Sequence, residues 1–178
     1  GDSIAQARSA LLAILYELRD GDSISILRFG STIDVLTRRP VILNKQKRER
    51  LRNKVSALEA DLGGTEIMQA IRKAVGISKL GADILLSTDG EAYVDQDELN
   101  KIASTSHRFF TVGVGSAVSE TIVKALAEVS GGACELVAPN EHMASRIVAH
   151  ARRMSMPRAH LRIDWCANER MRVSARNV

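Results

Sequence analysis

Two short loops carry polar side chains where the chain has to turn: Thr65 follows Gly63-Gly64, and Asp89 sits in Thr88-Asp89-Gly90. A hydroxyl that opens a helix caps its amide groups, and an aspartate beside a glycine forms a turn, so each residue has an ordinary role without any ligand. Asp95, Asp97 and Glu98 form a third polar group. Their spacing matches no calcium loop and suits the first turn of a helix, where the dipole favours anions. His107, His142, His150 and His160 show neither an HExxH pair nor a cysteine partner at ligand spacing, and they read as solvated. Gly113-Val-Gly115 has half of a dinucleotide fingerprint, but Val118 stands where the third glycine belongs and the acidic candidate, Glu135, falls within a strand. Neither a Gly-x-Ser-x-Gly elbow nor a Walker loop is present. With no nucleophile and base to pair, the sequence gives no sign of an enzyme.

Charge and cysteine content narrow the partners. The 178 residues are 45% hydrophobic and 26% charged, which suits one α/β domain with a sizeable core. The net charge of +4 hides two basic stretches: Arg38 to Lys54 holds eight basic residues against Glu49, and Arg146 to Arg176 eight against Asp164 and Glu169. The rest of the chain is therefore about nine charges acidic. Aromatic residues make up only 3%, so the basic helix around Lys45 to Lys54 reads as a solvated face, and no nucleic acid is expected. Cys134 and Cys166 are too few for a disulfide framework and read as free, buried thiols. No stretch approaches the roughly 18 apolar residues of a membrane span, and the reading is of a soluble piece whose compartment is unknown.

Periodicity predicts the elements that hold these loops. Ile4, Ala7, Leu11, Leu12, Ile14, Leu15 and Leu18 recur at the helical period, and Asp20-Gly21-Asp22 ends that helix. Ser23 to Phe29 reads as an interior strand paired antiparallel with Thr32 to Leu36. Helices are expected from Asn44 through Leu58 and from Thr65 onward, then over Asp95 to Ala103, Ser119 to Val129 and Glu141 to Met154. Strands are expected at Ala82 to Ser87, Arg108 to Val114 and Ala133 to Val137. That alternation predicts an α/β, doubly wound, mostly parallel Rossmann-like sheet with helices on both faces and a site at the carboxyl ends of the strands. After Pro157 the alternating Leu161, Ile163 and Trp165 add one further strand.

Three segments in order carry a resemblance: Ser25-Ile-Leu-Arg-Phe-Gly30, Asp61-Leu-Gly-Gly-Thr65-Glu66 and Leu85-Leu-Ser-Thr88-Asp89-Gly90-Glu91. They resemble the von Willebrand factor A family over about residues 1–150, and Phe110-Thr-Val-Gly-Val-Gly115 looks like the family's next strand. The resemblance implies a vWA domain over 1–154 and a carboxyl-terminal extension over 155–178. It also implies a metal-ion-dependent adhesion site, in which Mg²⁺ (or Mn²⁺ or Ca²⁺) sits above the sheet. Thr65 would be the second-loop ligand and Asp89 the third-loop carboxylate, while a protein ligand presenting Asp or Glu completes the shell. Mg²⁺ demands an octahedron of small oxygen donors, so a site short of negative charge favours an incoming carboxylate.

One part of the family pattern is missing. The Asp-x-Ser-x-Ser loop that normally follows the first, central strand does not occur, and Asp2-Ser3-Ile4-Ala5-Gln6 lacks serine at the third and fifth positions. The expectation is a domain without its first strand over these residues, and three explanations stay open: the residues start inside the domain, the first strand and its loop precede them, or another strand such as Leu161 to Trp165 fills the slot in its own chain or, through strand exchange, in a homodimer. The tail Arg152-Arg-Met-Ser-Met-Pro-Arg158 with Leu161-Arg-Ile-Asp-Trp165 resembles inter-α-trypsin-inhibitor-heavy-chain-like proteins. The alternative function is a metal-independent scaffolding domain of a larger protein.

Overall fold

Helix α1 (Asp2–Glu17) is apolar around more than half its girth because it serves two cores. Ala7, Ala10 and Ile14 face one cluster, and Leu11, Leu12 and Leu15 face another. The computed structural model describes residues 2–59, 66–89, 94–114, 117–138, 142–156, 159–165 and 171–177, with backbone alone at 2–3, 114, 117–119, 159–165 and 171–177.

The strand expected over Ser23 to Phe29 is two short ones. β1 (Ser23–Ile24) and β2 (Leu27–Phe29) pair antiparallel with different partners: β1 with β4 (Val41–Ile42) and β2 with β3 (Ile33–Val35). The break falls at buried Ile26, whose N–H donates to Thr37 Oγ1 at 2.8 Å while its carbonyl accepts from Leu36 N and Thr37 N. A side-chain hydroxyl thus takes a ladder position, which no hydrophobic pattern reveals. Helix α2 (Lys45–Ser56), capped by Asn44 through its side chain, buries Leu51 and Val55 with Leu15 of α1.

After α3 (Ile67–Ile77), β5 (Asp83–Thr88) enters a parallel sheet. α4 (Gln96–Ala103), β6 (Arg108–Val114), α5 (Ala117–Ser130), β7 (Ala133–Val137) and α6 (Met143–Met154) follow. The strand order is β5-β6-β7, with both pairings parallel. β6 is central, and its side chains alternate between the two faces. Phe109 joins α3, α4 and α5 in one cluster, and Val112 joins α1 and α6 in the other. α5 ends on Gly131 at φ +68°, and a Cβ on Gly132 would stand 1.8 Å from the Phe109 carbonyl oxygen, so α5 can return to β7 only over a bare backbone. Gly113 belongs to this packing and not to a phosphate loop: it lies within β6 under Val123 of α5.

The tail differs from expectation. β8 (Ala159–Trp165) pairs antiparallel with β9 (Met171–Asn177) in a sheet of its own. Leu161 to Trp165 therefore does not fill the slot in its own chain: among the described strands β8 pairs with β9 and with none of the parallel sheet. Among the described strands, β5 is paired on one edge only. No described helix is long and apolar enough to cross a membrane.

Candidate metal centre at the carboxyl edge of the sheet

Parallel strands bring their carboxyl ends to one edge, and the helix preceding each strand runs back to start at that edge. β5 delivers Asp89 there. Thr88, the last residue of β5, is buried, whereas Asp89 is exposed. Among the described residues Asp89 makes no hydrogen bond and has no cation within ion-pair distance. An unneutralised carboxylate at a strand terminus is a hard-oxygen donor free to take a cation.

Neighbouring elements are tied to the same edge by bonds between distant segments. Glu66 N donates to Gly30 O at 2.8 Å, so the start of α3 is held to the end of β2. Gln6 Oε1 accepts from Met143 N at 2.8 Å, which fastens the first turns of α1 to the first turn of α6. Gln6 was not singled out by its sequence, since a lone glutamine on a helix carries no signal. Asp95 caps α4 by accepting from Glu98 N at 2.8 Å, and Glu98 pairs with Arg72. Asp95 and Glu98 are thus taken up by capping and packing, and Asp97 lies with Glu98 in the first turn of α4, as their spacing predicts.

Thr65 lies outside the described residues. The helix it was expected to open begins at Ile67, with Glu66 in the cap position and no side-chain cap bond. The structure therefore brings Asp89 to the edge and leaves its companion undescribed. Among the described residues no group of three or more His, Cys, Asp or Glu gathers to hold a metal. The donor set fits a hard cation in part: one available carboxylate, with further oxygens still required.

Two of the histidines expected to be solvated are buried. His107 is 4% exposed and His150 1%. His150 follows Met143 and Ile147 on the inner side of α6, where the helical period turns it to the sheet. Its Nε2 lies 2.7 Å from Ala133 O, its ring meets Phe110 edge-on at 5.6 Å, and burial pushes its pKa down. His142 is exposed, and the His160 side chain lies outside the described set. Cys134 is a free thiol whose pKa burial pushes up, and Cys166 lies outside the described residues. At the opposite edge Arg108 pairs with Asp83, donates to Met154 O at 3.2 Å and stands 5.1 Å over the Phe110 ring, which locks α6 to the sheet.

Comparison with known proteins agrees with this architecture. Residues 2–136 match the family model described as von Willebrand factor type A domain. The rat von Willebrand factor A domain-containing protein 5A is 30% identical over 148 residues, covering 80% of this chain and 18% of the rat protein. This chain thus spans about a fifth of the length of the curated relatives it matches. Among solved structures, a von Willebrand factor type A protein from Catenulispora acidiphila superposes with a TM-score of 0.71 at 18% identity, over 90% of this chain and 41% of that one. Proximal thread matrix protein 1 from the mussel byssus, solved with a zinc-occupied MIDAS motif, superposes with a TM-score of 0.57 at 14% identity, over 84% of this chain and 41% of that one. This chain belongs to the von Willebrand factor type A domain family.

Proposed function

We propose that the domain is a cation-dependent protein-binding module and not an enzyme. The observation that carries this reading is the exposed carboxylate of Asp89 at the carboxyl end of β5, which has no partner among the described residues. Asp89 and Thr65 are the residues of this chain that would hold Mg²⁺. The ion, when bound, supplies an electron-poor centre that accepts a carboxylate oxygen from a partner's Asp or Glu. The zinc-occupied MIDAS motif of the mussel protein, which shares this fold, supports a metal-binding reading. In the intact protein, Asp89→Ala is expected to abolish cation-dependent partner binding with the melting temperature unchanged. Binding that persists in EDTA overturns the reading.

A second reading is favoured by one observation: β5 has a partner on one edge only among the described strands. On it the domain is a metal-free scaffold, and a homodimer forms by strand exchange at the open edge. Size-exclusion chromatography with light scattering separates the cases, a monomer at all concentrations ruling out the exchange.

A further inference from the structure

We propose that the outer flank of α2 is a second docking surface, for a carboxylate-rich protein segment. Leu51 and Val55 turn one side of α2 into the core. At 3.6 residues per turn, Lys47, Arg50 and Lys54 then share one flank. Lys54 Nζ donates to Leu36 O at 3.4 Å, so this flank lies against the connection that leads from β3 to Arg38 and Arg39. Those two residues follow Leu36 by two and three positions, which keeps their Cα atoms within about 11 Å of it. All five cations are exposed.

Two other cations of the helix, Arg48 and Arg52, are already used, while Lys45 at its first turn is exposed. Arg48 donates to Leu15 O and Leu18 O at 3.0 and 2.8 Å and pairs with Asp20 at 2.9 Å, closing the end of α1. Arg52 pairs with Glu49 at 2.9 Å. By contrast, none of Arg38, Arg39, Lys47, Arg50 or Lys54 has an ion pair among the described residues. The result is a concentrated positive field in a chain whose remainder is net acidic.

The chemistry of the surface selects the partner. The exposed residues of α2 are all polar or charged, so nothing is available to enter a bilayer. Between Arg38 and Glu59 there is no aromatic side chain on which a base could stack. What remains is charge pairing over about 10 Å of helix, long enough for two carboxylates spaced about 7 Å apart on one side of an extended strand.

The test is fluorescence anisotropy with a fluorescein-labelled decaglutamate peptide, run in EDTA so that its outcome is independent of any metal at Asp89. The wild-type chain is expected to bind, more weakly as salt rises from about 50 to 300 mM. K47Q/R50Q/K54Q is expected to weaken binding about tenfold, and Arg50→Gln alone to weaken it less. Lys73 and Lys101 are exposed elsewhere, and K73Q/K101Q is expected to leave binding unchanged. The proposal is overturned if the patch variants, folded by circular dichroism, bind as wild type does. It is equally overturned if single-stranded DNA or phosphatidylserine vesicles bind as tightly as the peptide.

Discussion

His150 makes the domain lose stability in mild acid by an amount that one substitution can isolate. The ring is 1% exposed, and Nε2–H donates to Ala133 O at 2.7 Å, which leaves Nδ1 as a buried acceptor without a partner among the described residues. A second proton would bury a cation and an unmatched N–H beside the Phe110 ring. Burial is the main cause of the lowered pKa, the Ala133 bond opposes it, Arg153 lowers it further and Glu135 opposes it. Because the folded pKa lies below the unfolded one, the unfolded chain binds more protons. Stability is then fully present above the unfolded value near 6.5 and is lost as pH falls toward the folded one. One proton sets a ceiling of about 1.4 kcal/mol per pH unit, or about 2 kcal/mol between pH 6.5 and pH 5. His150→Gln keeps a neutral N–H donor of similar reach and removes the titration. Urea unfolding from about pH 7.5 to pH 5 should therefore give a shallower decline for the variant, the difference staying under that ceiling. Equal pH slopes for wild type and variant would refute the reasoning.

Two further substitutions probe the scaffold. Gly132→Ala puts a methyl group against the Phe109 backbone, which cannot move without shifting the central strand; the expected result is loss of the cooperative thermal transition, and a melting temperature within about 5 °C of wild type would contradict it. Thr37→Val strips the acceptor from the buried Ile26 N–H and is expected to cost about 1–3 kcal/mol by chemical denaturation, with Thr37→Ser recovering most of the loss.

Where an element is held by its own pattern, the sequence names it well. Arg108–Val114 and Ala133–Val137 appear as read, because apolar runs bounded by glycine leave little choice of ends. Where a distant side chain intervenes, the pattern misleads, as at Ile26, where Thr37 divides one expected strand into two. β9 was readable in principle, since Met171 and Val173 alternate with Arg172 and Ser174, but the many charges masked the period. His150 was readable too: Met143, Ile147 and His150 are spaced for one helix face, and composition outweighed position.

The site was legible to a lesser degree, for a physical reason. A threonine after two glycines and an aspartate before one are favoured by capping and turns as much as by a cation, so residue type alone cannot separate the roles. What separates them at Asp89 is that it has no described partner, whereas Asp95, of the same type and only six positions on, is committed to capping α4. The bonds from Glu66 to Gly30 and from Gln6 to Met143 hold the surrounding elements without drawing on Asp89. Among the described residues, an edge held in this way leaves its carboxylate without a partner while α1, α3, α6 and β2 are already tied together, so a ligand arriving there need not bring those elements together as it binds.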